Sequence, residues 1–131
     1  MPRETELPQL TPAELEVMKV LWSRDGLSAR EIHDELGERL RWAYSTTRTT
    51  VERMVRKGLV EKSPFHGLHI YRASVSRATG LARLVRDFAR DVLESSHVPI
   101  VSLFADSGTL SDDELDELRR LLDREENGGG E

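Results

Sequence analysis

Three capped helices, two short extended runs meeting at a glycine turn, and two further amphipathic helices follow one another along this chain. That order predicts a mainly α fold with a short β-hairpin. The expected arrangement is a winged helix-turn-helix domain over residues 1–75, a helical dimerisation domain over 76–126 and a disordered tail over 127–131.

Each element has its own signal. Reciprocal capping boxes, in which a hydroxyl accepts a backbone N–H three residues on and a glutamate reaches back, mark three helix starts: Thr11 with Glu14, Ser28 with Glu31 and Ser111 with Glu114. The first helix, Pro12 to Ser23, opens on a proline whose missing N–H costs nothing there and carries Leu15, Met18, Leu21 and Trp22 on one face. Asp25-Gly26 ends it. The second, from Ala29 to about Leu36, turns Ile32, Leu36 and Leu40 to the same core. A third runs from Tyr44 or Ser45 to Lys57 and stops at Gly58, with Thr47, Val51, Met54 and Val55 inward and Ser45, Thr46, Thr49, Thr50 and Arg53 outward. Leu59 to Lys62 and Leu68 to Arg72 then read as strands joined through Pro64 to Gly67.

Ser76 caps a longer helix, Arg77 to Glu94, striped by Leu81, Leu84, Val85, Phe88 and Val92. Pro99 opens a short segment over Ile100 to Ala105, and the last capping box starts a helix with Leu115, Leu118, Leu121 and Leu122. So few residues cannot close a core of their own on these stripes. A second copy is the simplest partner, with dimerisation carried by Leu81, Val85, Phe88, Val92, Leu115, Leu118 and Leu122.

Composition narrows the function. Hydrophobic residues at 37% and charged residues at 33% suit a water-soluble globular chain, and no apolar run approaches the length of a membrane span. A cytoplasmic protein without membrane insertion is expected. Cysteine is absent, which excludes a disulfide framework, a thiolate nucleophile and any sulfur-based metal site. The net charge of −5 conceals a segregation: residues 39–72 hold eight basic and two acidic side chains, while the flanking segments are acidic. Screening over about 8 Å lets such a basic face act on a polyanion beside it, whatever the global sign.

The third helix gathers threonine at positions 46, 47, 49 and 50, although threonine is a mediocre helix former. Short hydroxyl and methyl groups let a helix approach base edges in a major groove about 12 Å wide, and an arginine can grip guanine or phosphate. The expected DNA-binding residues are Ser45, Thr46, Arg48, Thr49, Thr50, Arg53 and, from the hairpin, Lys62. Arg48, Glu52 and Arg56, spaced by four, are expected to pair. Trp42 and Tyr44 are open to two readings, stacking on DNA or packing on the first helix. His66 and His69 lack the supporting groups of a metal pair, and His33 and His97 read as structural or exposed. No gathered nucleophile and base mark a catalytic site, so the chain is read as no enzyme, with no metal and no cofactor. The rival reading is a winged-helix module whose basic segment docks an acidic protein.

Leu10-Thr11-Pro12-Ala13-Glu14-Leu15-Glu16-Val17-Met18 with Trp22, then Trp42-Ala43-Tyr44-Ser45-Thr46-Thr47-Arg48-Thr49 with Glu52-Arg53 and Lys57-Gly58-Leu59-Val60, and finally Leu110-Ser111-Asp112-Asp113-Glu114-Leu115 with Glu117-Leu118 and Leu121-Leu122-Asp123, together resemble the penicillinase and methicillin-resistance repressor (BlaI/MecI) family. The resemblance spans nearly the whole chain. It implies a homodimeric transcriptional repressor of palindromic double-stranded operator DNA, with contacts from Ser45, Thr46, Arg48, Thr49 and Arg53. It also implies release through cleavage by a membrane sensor protease in the dimerisation domain, which maps to Leu103 and Phe104. Here Leu103 stands where the cleaved asparagine would be, His66-Gly67-Leu68 stands where the family's wing carries an arginine, and the cysteine cluster of copper-responsive relatives is missing.

Overall fold

The computed structural model describes residues 7–129, with side chains described to residue 124. Its elements run α1 (Pro12–Ser23), α2 (Ala29–Leu40), α3 (Tyr44–Arg56), β1 (Val60–Phe65), β2 (Leu68–Ala73), α4 (Arg77–Asp91), α5 (Val98–Ser107) and α6 (Asp112–Gly129). All three capping boxes close: Thr11, Ser28 and Ser111 each accept from the glutamate N–H three residues on, while that glutamate's carboxylate accepts their own N–H. Helix starts were therefore set locally, by hydrogen bonds that need no tertiary partner.

The described residues divide into two compact units, Leu10–Ser76 and residues 77–129 with 7–9. In the first, α1, α2 and α3 bury Val17, Met18, Leu21, Ile32, Leu36, Val51 and Met54 against Leu59, which precedes the hairpin, and Val60 and Tyr71 within it. Val17 and Glu14, rather than Leu15, complete the buried face of α1. Strands β1 and β2 pair antiparallel from Val60 opposite Ala73 to Phe65 opposite Leu68. Their two-residue loop has positive φ at both His66 (49°) and Gly67 (81°), the backbone a twisted hairpin favours. Leu27 adds an isolated bridge to Tyr71 through two backbone hydrogen bonds of 3.0 and 2.7 Å. A single residue of strand leaves no periodic signal, which is why it was unread in the sequence.

The second unit has a core of its own, contrary to the expectation that a partner must supply one. Leu7, Ala78, Ala82, Val85, Val101, Leu110, Leu115, Leu118 and Leu122 form one buried cluster. Val85, Leu115, Leu118 and Leu122 are therefore consumed within the chain, which corrects their assignment to a dimer face. The small residues Ala78, Ala82 and Ala89 let α4 pack inward, and the large ones face out: Leu84 is 36% exposed and Phe88 49%, while Leu81 is half buried; α4 ends at Asp91 rather than at the expected Glu94, and Val92 just beyond it is 61% exposed. Helix α5 is longer than expected and contains the Leu103 to Phe104 bond, with Leu103 67% exposed. Helix α6 continues to Gly129, through the first three residues of the expected tail; residues 130 and 131 lie outside those described. None of the described helices is long and apolar enough to cross a membrane.

Candidate nucleic-acid interface

Helix α3 is fixed from its inner side. Thr47, Val51 and Met54 have no exposed surface, and the Thr47 hydroxyl lies 2.8 Å from His33 Nδ1 on α2. The Tyr44 ring meets His33 edge-on, and the Arg30 guanidinium sits 4.1 Å over the Tyr44 ring. Trp42 and Tyr44 are both half buried and pack against the core, Tyr44 meeting α2 rather than the first helix in these ring contacts.

What α3 leaves outside is a band of Ser45, Thr46, Arg48, Thr49 and Arg53, all exposed. Ser45, Arg48, Thr49, Glu52 and Arg56 line a shallow open concavity along it. Thr50 does not belong there: it is buried, and its hydroxyl donates to the Thr46 carbonyl at 2.8 Å. It lies three residues after Thr47 and four before Met54, on the inner stripe, where its hydroxyl proton is committed to its own helix and burial leaves almost no surface for a base to reach.

The charges pair differently from the expected Arg48, Glu52, Arg56 ladder. Glu52 instead accepts from Lys62 Nζ at 2.8 Å and from the Tyr71 hydroxyl at 2.7 Å, so it ties α3 to both strands. Lys62 is correspondingly held by a carboxylate rather than reaching freely outward. Among the described residues Arg48 and Arg56 make no ion pair, and both remain exposed. Arg53 Nε lies 3.4 Å from the carboxylate of Glu14, and Lys57 Nζ 2.6 Å from it. At the hairpin tip Phe65 and Leu68 are more than half exposed beside His66. The sequence shows Glu14 only as a cap, Glu52 only in a ladder with Arg48 and Arg56, and His33 only as structural or exposed, because the partners that give each its place lie on another element.

These contacts shift the acids. Burial works to raise the Glu14 carboxyl, but Lys57 and the Thr11 N–H outweigh it, and the result lies below the ordinary value of 4.5. The Lys62 ammonium, with help from Tyr71, lowers Glu52 as well, against a smaller opposing effect of burial. Burial and the Glu52 hydrogen bond push the Tyr71 hydroxyl up to about 12. Because both carboxyls titrate lower when folded than when unfolded, their contribution to stability is complete above about pH 4.5 and is lost as pH falls through the folded-state values. Urea midpoints should therefore stay level from pH 7 to about 5 and then drop. Glu52→Gln should lower the neutral-pH midpoint and make the acid drop shallower; an unaltered acid profile in the variant would refute the assignment.

Comparison with known proteins places these residues in context. A family model described as penicillinase repressor matches residues 10–124. The penicillinase repressor of Bacillus licheniformis is 25% identical over 122 residues, covering 93% of this chain and 95% of that one. The methicillin resistance regulatory protein MecI of Staphylococcus aureus is 27% identical over 116 residues, covering 88% and 94%. Among solved structures, the DNA-binding domain of the repressor BlaI matches with a TM-score of 0.51 and 28% identity, over 56% of this chain and 90% of that chain. The same values hold for the monomeric form of the Bacillus licheniformis BlaI in complex with the blaP half-operator.

Proposed function

The chain belongs to the penicillinase repressor family, and from that membership we propose that it represses transcription by binding palindromic operator DNA as a homodimer, without catalysis. The observation that carries this reading is the outer band of α3, where Ser45, Thr46, Arg48, Thr49 and Arg53 stand exposed on a helix fixed from behind by Thr47, Val51 and Met54. A helix so placed can enter a major groove, with the threonine methyl groups toward thymine and the arginines toward guanine or phosphate. The related BlaI solved with its half-operator supports the same use of the domain.

Pairing is assigned to the exposed stripe of α4, Leu84 and Phe88 with Leu81 at its edge and Val92 just beyond its end, against a second copy. Two recognition helices about 34 Å apart would then read two half-sites on successive turns of one duplex. Cutting between Leu103 and Phe104 would divide the core of this unit, leaving Ala78, Ala82, Val85 and Val101 on one fragment and Leu110, Leu115, Leu118 and Leu122 on the other, and since that bond lies within α5, a sensor protease would have to unwind a helix to reach it.

Fluorescence polarisation against random duplex DNA tests the binding. Log affinity should fall linearly with log salt, as phosphate contacts release counterions. Arg53→Ala should weaken binding to a selected duplex by about 1 to 3 kcal/mol. Affinity unmoved by salt and by Arg53→Ala would remove α3 from this role and favour docking of an acidic protein instead.

A further inference from the structure

Glu14 is more buried than its cap requires. The equivalent glutamates of the other two boxes, Glu31 and Glu114, close their caps while exposed or half exposed, yet Glu14 has no exposed surface at all. Its Oε1 accepts from the Thr11 N–H at 3.0 Å and from Lys57 Nζ at 2.6 Å, and its Oε2 accepts from Arg53 Nε at 3.4 Å. A glutamine at that position would also complete a capping box. Burying a charge is costly unless it is paired and hydrogen-bonded. The negative charge therefore has a purpose beyond the helix start, and its partners indicate which.

We propose that Glu14 is a positioning residue for reading DNA: from α1 it holds the Nε edge of Arg53 and the ammonium of Lys57, so that the far end of the Arg53 guanidinium is presented at a set angle from α3. This rests on the DNA-binding reading above. The terminal amines of Arg53 have no partner among the described residues, and the side chain is 46% exposed. A guanidinium anchored by Nε still offers its two terminal N–H groups as a fork, the shape that fits the O6 and N7 of guanine. An unanchored arginine would satisfy a phosphate equally well but would lose rotamer freedom on selecting one base. Positioning should therefore be felt in discrimination more than in general affinity.

The test is Glu14→Gln, which keeps the volume and the cap but removes the charge. The probes are a duplex enriched by the wild-type protein from a randomised pool and a scrambled duplex of equal length. Affinity for the enriched duplex should fall about tenfold, within what one bidentate base contact discriminates. Affinity for the scrambled duplex should hold or rise, because a negative charge has left the basic face. In an Arg53→Ala background the same substitution should change the enriched-duplex affinity by less than about twofold, since separable effects add and coupled ones do not. Equal losses on both duplexes, an equal loss without Arg53, or no loss at all would overturn the proposal. If Glu14→Gln does not fold, Arg53→Lys, which keeps the charge but not the fork, must show the same selective loss, and retained discrimination there would overturn it too. Should the wild-type protein enrich no duplex, the DNA-binding reading itself fails and the positioning role falls with it.

Discussion

Phe88→Asp is expected to abolish the proposed pairing of two copies, giving a monomer in sedimentation where the unsubstituted chain sediments as a dimer, while leaving the helical content and thermal unfolding of the chain nearly unchanged. The expectation follows from where the side chain stands. Phe88 is half exposed on α4, flanked by Leu84 and Val92, while the opposite face of the same helix is already packed through Ala78, Ala82, Val85 and Ala89. A phenylalanine ring in an interface removes on the order of 150 Å² or more from water, and an unpaired carboxylate in its place must be desolvated with no partner. Within the monomer, by contrast, the aspartate stays in solvent and costs little. Loss of pairing also removes the effective-concentration gain of two linked modules, so affinity for a duplex with both half-sites should fall by a factor on the order of 10² or more, while affinity for a single half-site should barely move. A variant that still sediments as a dimer would exclude this face from pairing.

The expectation for α4 named one stripe, of large residues that included Val85, and assigned it to a second copy. Two apolar stripes lie on the helix at helical spacing: Ala78, Ala82, Val85 and Ala89, and Leu81, Leu84 and Phe88, the latter continued by Val92 just past the helix end. Periodicity is satisfied by either, and size favoured the second. The decision is made by α6, whose leucines need a close neighbour and find it in the alanine face. Elements whose signals are local were legible, as the three capping boxes and the order of helices and hairpin demonstrate. Contacts that join distant segments were not: Glu14 meets Lys57 across 43 residues and Arg53 across 39, and nothing in a capping box announces that its glutamate will be buried. Thr50 stands between these cases. Its place beside Thr47 and Met54 on the inner stripe could have been counted from the spacing, but the clustering of threonines drew it to the outer face.

Leu118→Ala should destabilise the helical unit by about 2 to 5 kcal/mol, the range for emptying a fully buried leucine site. Leu118 has no exposed surface and lies in one cluster with Leu7, Ala78, Ala82 and Leu122. Its neighbours include small side chains that cannot extend into a void, so little of the lost volume can be recovered by repacking. Against the 5 to 15 kcal/mol that typically stabilises a whole domain, the loss is large. Two spectroscopic signals can localise it, because both tryptophans of the chain, Trp22 and Trp42, pack against the core of the winged unit. Tryptophan fluorescence therefore follows that unit, whereas far-ultraviolet circular dichroism also registers α4, α5 and α6. Under urea the dichroism transition should move to lower denaturant by more than the fluorescence transition. A Leu118→Ala protein with unchanged stability but weakened dimerisation would show the opposite, that this leucine faces a second copy rather than its own core.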